Sequence, residues 1–452
     1  MSYPVVHPID YRYGTPQMKR IWSEDSKIKR MIRVEVALLK ALARRGYLRE
    51  EEAEEVKKKA LRITPARVRE IEDEIKHDIM ALVKAITEVA GDGDASRFVH
   101  FGATSNDIID TATALQLRDS LKLLEVRIKE VIRHLIRLAE EHRNVVCLGR
   151  THGQAALPTT YGFRFALWAS EMGRHYERLK EMEKRILVGQ MSGAVGTQAA
   201  FGKDGLDIER EVMSILGLKP ASISSQIIPR DIYIEYVSFL AAIASTLEKI
   251  ATNIRLLQRA ETAELMEKFE EKQVGSSTMP HKRNPIDSEQ ICGIARVIRG
   301  FVEPMHQSSI LWEERDLTNS SAERIILAET SVLADHILVK MAKVLSSLGL
   351  NRDNIRRNLE AHKGLNLSEA VMIELTKRGV PRQEAHEILR QASMKAYREN
   401  ISLLEALRSD ERISEYFTYE ELENLLQPEN YLGTATKRID SVVAWLRQLA
   451  ED

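Results

Sequence analysis

The sequence predicts an all-α protein centred on a bundle of very long helices, and three observations carry that expectation. From Asn106 to His142 there is neither glycine nor proline, and Leu117, Leu121, Leu124, Ile128, Val131, Leu135 and Leu138 recur at alternating steps of four and three. That spacing keeps one apolar seam on a single face, and at about 1.5 Å per residue the helix exceeds about 50 Å. Two later runs repeat the rhythm. Leu240, Ile243, Leu247, Ile250, Ile254 and Leu257 follow Asp231, and Leu333, Ile337, Met341, Val344 and Leu348 fall between Ser320 and Leu348. Strand signals are scarce, the best being the short SISSQII at 222–228.

Taken in order, residues 1–104 read as an N-terminal domain of shorter helices interrupted at ITPAR and GDGD. Residues 105–350 read as the elongated central bundle, because helices this long bury their seams only against one another. Besides the three seams, this part holds a helix over Thr160–Val188 and another starting near Asp287. Residues 351–452 read as a compact C-terminal helical domain punctuated by KRGVP and LQPENYLG, with Ser368 and Thr418 as N-caps. No internal repeat or low-complexity segment is seen.

Composition narrows the function. The 452 residues are 44% apolar and 29% charged, a globular balance, and 66 basic against 67 acidic residues leave a net charge of −1. That argues against a general polyanion-binding surface, so no nucleic-acid partner is expected. Cys147 and Cys292 stand far apart with no CxxC pair, which speaks against a disulfide framework and a zinc site and for a reducing, cytoplasmic setting. No apolar run reaches about 18 residues, so no membrane helix is expected.

Four segments concentrate chemically able side chains where helices start or stop. EIKHDIM places Lys76, His77 and Asp78 together. In RFVHFGATSND, His100 precedes a glycine turn, and Thr104 and Ser105 open the long helix. Ser105 reads as an N-cap, and the same free N–H groups and hydroxyls would receive a carboxylate or phosphate. LGRTHGQ sets His152 beside a glycine, and a free imidazole titrates near 6.5, the range of a proton donor at neutral pH. GSSTMPHKRNP, residues 275–285, combines Gly275, Pro280 and Pro285 with the hydroxyls of Ser276, Ser277 and Thr278 and the cationic His281, Lys282 and Arg283. It reads as a mobile cover bringing cations and a hydroxyl onto an anionic substrate.

That last stretch closely resembles the signature loop of the fumarase/aspartase superfamily, whose members eliminate fumarate from succinyl-bearing substrates. FGATSND and RTHGQ resemble its other two active-site regions in the expected order, and the likeness runs through to PENYLGTA near the C-terminus. The KRN form is similar to two branches, nucleotide-cleaving lyases and carboxymuconate cycloisomerases. KHDIM, ERDLTNSSAER at 314–324 and the N-terminal YRYG favour the nucleotide branch. Lys76 stands where arginine is common there, and Asn319 where histidine is common.

The resemblance implies a fumarase/aspartase-like fold and a β-elimination with neither metal nor organic cofactor. It implies Ser276 as base, His152 as general acid, Glu289 orienting that histidine, and Lys282 with Asn284 holding the carboxylate that gathers charge. Thr104 and Ser105 would bind the fumaryl carboxylates, while Arg12, Tyr13, Arg315, Ser320 and Arg324 would grip phosphate and ribose. Lys76, His77, Asp78, His100, Gln226, Ser277 and Arg283 would complete the substrate lining. It also implies a homotetramer whose active sites are shared between subunits. A cycloisomerase with another leaving group and a non-catalytic helical scaffold are the competing readings.

Overall fold

The computed structural model describes residues 6–269, 278–279 and 281–451; the expectations for Ser276 and Ser277 lie outside these. Helices dominate. The ones that matter for the site are α1 (Glu24–Arg44), α2 (Asp78–Ala90), α3 (Ser105–Glu141), α4 (Tyr161–Ile186), α5 (Asp231–Gln258), α6 (Ile286–Gly300), α7 (Thr318–Ser346) and α8 (Arg352–Glu360). The three seam-bearing helices α3, α5 and α7 begin and end within about two residues of their expected runs, and α4 within about two of the expected 160–188. All eighteen seam residues named above are buried, from Leu117 to Leu348.

Contacts divide the chain into two compact units. One comprises residues 1–128, 175–247 and 293–339, the other 129–174, 248–292 and 340–452, so α3, α4, α5 and α7 contribute residues to both. In the first unit the long helices are cross-linked by polar contacts as well as by apolar packing. Tyr236 and Ser331 join α5 to α7 at 2.8 Å, His175 and Thr246 join α4 to α5 at 2.9 Å, and the Arg127 guanidinium donates to Asp335 at 3.1 Å. Its apolar core runs from Ile28 through Leu115 to Leu216. In the second unit Arg137 donates to the carbonyls of Leu345 and Ser346, capping the C-terminal turn of α7. A separate apolar cluster from Val371 to Leu422 fills residues 371–422.

Three local expectations need correction. SISSQII is not a strand: residues 222–228 are irregular with bends at 222 and 225–227, held where the Ile228 N–H donates to Asp110 (3.1 Å) and Ser225 Oγ to the Glu314 carbonyl (2.7 Å). Its backbone groups meet side chains and turns rather than a partner strand. The LGRTHGQAALPTT stretch is instead a hairpin of β1 (Val146–Thr151) and β2 (Gln154–Thr160), with Thr151 opposite Gln154. Its two central residues, His152 (φ 54°) and Gly153 (φ 74°), both have positive φ, as a type I′ turn requires. Ser368 begins its helix rather than capping it, whereas Thr418 caps as expected, in a box with Glu421. Two-residue strands β3 (Leu265–Met266) and β4 (Gly349–Leu350) pair at the foot of α8. Both cysteines are buried, and burial pushes the Cys147 thiol up to about 11.

Candidate active site

In the first unit a cleft of about 300 Å³ is lined by Trp22, Lys27, Asn106, Asp110, Arg230, Arg315, Asn319, Ser320, Glu323 and Arg324. Three expected residues, Arg315, Ser320 and Arg324, therefore share one cavity. Two more stand beside it: Gln226 accepts from Arg315 (3.1 Å), and Asp78 accepts from Arg324 (2.7 Å). The cleft wall is a buried charge cluster. Arg230 donates to both oxygens of Asp110 (2.7 and 2.9 Å) and to Glu323 (2.8 Å), and Glu323 also accepts from Asn319 (2.8 Å). Burial pushes the Glu323 carboxyl up against the pull of Arg230.

Several polar atoms here have no partner among the described residues. Asn106 Nδ2, Arg315 Nε and Asn319 Oδ1 are buried without a hydrogen bond, although Asn106 and Asn319 are only 2% and 1% exposed. The Lys27 ammonium is in no ion pair of the described residues; burial and then Arg324 push its pKa down. A buried donor left unpaired costs roughly 1–3 kcal/mol. Two such donors, with the unpaired acceptor Asn319 Oδ1 in the same cavity, make it a candidate site for a polar ligand. The sequence reading passed over Lys27 and Asn106: the first looks like one more solvated charge on a helix, and the second like part of a cap.

The N-terminus of α3 corrects the expected cap. Ser105 is the first helical residue, not the cap. The fully buried Asp107 performs the capping: it accepts from the N–H groups of Thr104, Ser192 and Gly193 (each 2.9 Å) and from Gln190 (3.0 Å). The hydroxyls of Thr104 and Ser105 thus keep their hydrogen-bonding capacity. Asp107 was missed because a carboxylate in the first helical turn usually reads as dipole complement.

His100 has a left-handed backbone (φ 62°) and is clamped by buried Glu35, which accepts from its N–H (3.1 Å) and meets its Nδ1 (2.7 Å). Burial lowers the His100 pKa, but the Glu35 hydrogen bond and charge carry it above the usual value. His77 is exposed and caps α2 through Nδ1 (3.2 Å from Met80 N), and Lys76 ends the preceding helix with φ 56°. Arg12 is exposed, and Tyr13 packs on His336 with ring centroids 5.5 Å apart; neither lines the cleft.

In the second unit, Lys282, Arg283, Asn284 and Glu289 line a cavity of about 640 Å³ with Arg255, Gln258 and His281. Gln258 fixes its rim, donating to the Arg283 carbonyl (3.1 Å) and accepting from Glu267 N–H (2.9 Å). Glu267 in turn caps α6 at Asp287 N (3.2 Å) and Ser288 N (2.8 Å). His152 is exposed at its hairpin tip, and among the described residues no hydrogen bond or ion pair joins it to Glu289. Among the described residues no group of three His, Cys, Asp or Glu side chains is placed to hold a metal ion, and no helix is long and apolar enough to cross a membrane.

The long-helix scaffold is that of a lyase of the fumarase/aspartase superfamily, as comparison with known proteins shows. Residues 10–300 match the family described as lyase, and residues 364–442 match the one described as adenylosuccinate lyase C-terminus. An adenylosuccinate lyase from Archaeoglobus fulgidus is 74% identical over 98% of this chain and 99% of its own length. Among solved structures, a fumarate lyase from Mesorhizobium sp. BNC1 superposes with a TM-score of 0.88 at 34% identity, covering 95% of this chain and 98% of that one. The 3-carboxy-cis,cis-muconate lactonizing enzyme of Pseudomonas putida also reaches 0.88, at 30% identity over 98% and 99%. The chain belongs to the adenylosuccinate lyase family.

Proposed function

We propose that the chain eliminates fumarate from adenylosuccinate, giving AMP, and from the succinyl-carboxamide imidazole ribotide in the same manner. The observation that carries this reading is the 74% identity to an adenylosuccinate lyase across nearly both full lengths. The likeness of fold is shared with a lactonizing enzyme and does not discriminate. A coupled assay for fumarate with each candidate substrate separates the two chemistries.

In the proposed reaction Ser276, as alkoxide, removes the proton from the carbon beside a carboxylate. The resulting electron pair forms the fumarate double bond as the carbon–nitrogen bond breaks, and His152 protonates the departing nitrogen. Charge accumulates on the carboxylate in the transition state, so Lys282 and Asn284 are most useful there. Thr104 and Ser105, at a helix N-terminus with unspent hydroxyls, take the other carboxylate. Arg315, Ser320 and Arg324 hold the phosphate and ribose, with Arg12 and Tyr13 reaching them in the assembled enzyme. His77, Asp78, His100, Gln226, Lys76, Ser277 and Arg283 line the remainder.

The enzyme is further proposed to be a cytoplasmic homotetramer in which each active site draws on several copies, setting His152 of one beside Glu289 of another. Its support is an apolar surface on two joined loops of the first unit, where Ile223, Ile310, Trp312 and Leu317 are 69–81% exposed. Ser276→Ala and His152→Ala are each expected to cut turnover by about 10²-fold or more while leaving assembly intact. Near-normal turnover by Ser276→Ala would remove the serine from the base's role.

A further inference from the structure

The second unit contains a buried carboxylate that the reaction scheme above leaves unused. Glu264 is fully buried, between the end of α5 and β3. Its Oε1 accepts from Arg150 Nη2 (2.5 Å) and Asn358 Nδ2 (2.8 Å), and its Oε2 from the Tyr161 hydroxyl (2.5 Å), with Arg164 Nη1 at 3.9 Å. Burial alone would push this carboxyl up, yet the three hydrogen bonds hold it below the ordinary value. It is therefore a carboxylate at neutral pH, facing two guanidiniums, a phenol and an amide from β1, α4 and α8.

Each of these partners bears on the hairpin that presents His152. Arg150 is two residues before it on β1 and pairs across to Ala155 on β2. Arg164 donates to the Leu148 carbonyl on β1 (2.7 Å) and lies 5.0 Å from the Tyr161 ring centre. Tyr161 follows β2 directly, and its N–H donates to the Val145 carbonyl (3.0 Å). The main chain of Glu264 is equally constrained: its N–H donates to Leu257 O and its carbonyl accepts from Asn351 N, both at 2.9 Å. One carboxylate thus fixes both strands of a hairpin whose tip is otherwise exposed, and it does so from the start of the segment leading to Lys282.

We propose that Glu264 is a positioning residue for proton donation by His152, acting through Arg150 and the β1–β2 hairpin. The inference rests on the reading of His152 as the acid. A two-stranded hairpin alone is marginally stable. A left-handed histidine at its tip can protonate a leaving group only if the strands beneath it hold one position. A displacement of about 1 Å at such a group costs about 10²-fold in rate. Fumaryl and phosphate binding involve other segments, so the loss belongs to the chemical step.

The experiment compares Glu264→Gln, Arg150→Met and Arg150→Lys with the unaltered enzyme, reading kcat and KM by fumarate release and AMP affinity by calorimetry. Glu264→Gln and Arg150→Met are expected to lower kcat about 10²-fold, with KM and AMP affinity within about twofold. Arg150→Lys, which restores the cation without the planar fork, should recover part of the loss. Arg150 is partly exposed and leaves Glu264 two other donors, so Arg150→Met decides the matter even if Glu264→Gln does not fold. Unchanged kcat in Arg150→Met overturns the inference, as does a kcat loss matched by an equal loss of AMP affinity. Failure of the underlying reading looks different: unaltered enzyme that releases no fumarate, or His152→Ala that turns over normally.

Discussion

Lys27 carries the residue-scale argument furthest. Its ammonium lines the same cleft as Arg315, Ser320 and Arg324, is pressed down in pKa by burial and by Arg324, and has no ion-pair partner among the described residues. Lys27→Met is therefore expected to raise KM for the nucleotide about tenfold with kcat little changed, and to weaken AMP binding while sparing adenosine. Equal losses for AMP and adenosine would assign Lys27 to the fold instead. His100 gives a pH test. Its pKa is raised in the folded state, chiefly by Glu35 once burial is overcome. The pair's contribution to stability is thus full below about 6.5 and is lost as pH rises through the higher folded value. The melting-temperature gap between the unaltered protein and Glu35→Gln should narrow from pH 6 to pH 9. Motif reading singled out His100, like Ser105 and His152, because helix ends with Ser, Thr, His and Gly are conspicuous. It could not locate Lys27, Asp107 or Glu264, whose roles come from burial and from partners tens to hundreds of positions away.

At the scale of elements, the seams were legible because a 3.5-residue rhythm without glycine or proline has one physical solution. The hairpin was not. Its turn is His-Gly rather than the Asn-Gly that announces a type I′ turn, and Pro158 lies within β2, where a missing N–H argues against a strand. The ladder accommodates that loss with an irregularity at Gly149, whose added Cβ would sit 2.3 Å from the Leu157 carbonyl oxygen. Gly149→Ala must force the strands apart, at about 2 kcal/mol by the usual cost of overpacking. Chemical denaturation should show that loss, and turnover should fall with it because His152 rides on the same turn.

For the whole molecule, the balance of 66 positive and 67 negative residues hides local variation: Arg255, Arg259, Lys282 and Arg283 line one cavity with Glu289 as its acidic member, whereas the other cleft sets Lys27, Arg230, Arg315 and Arg324 against Glu24, Asp110 and Glu323. The exposed Trp312, Ile310, Leu317 and Ile223 are where the proposed homotetramer is open to test. Trp312→Asp should shift sedimentation toward smaller species, with activity falling in parallel at low protein concentration. The threading of the two units has one more consequence. The chain passes from one to the other five times, at residues 128, 174, 247, 292 and 339. A ribosome delivering it from the N-terminus cannot finish either unit early, since the first needs residue 339 and the second needs what comes after. The nascent polypeptide therefore emerges with leucine- and isoleucine-rich ridges bare for most of its synthesis, a state that holdase chaperones exist to shield.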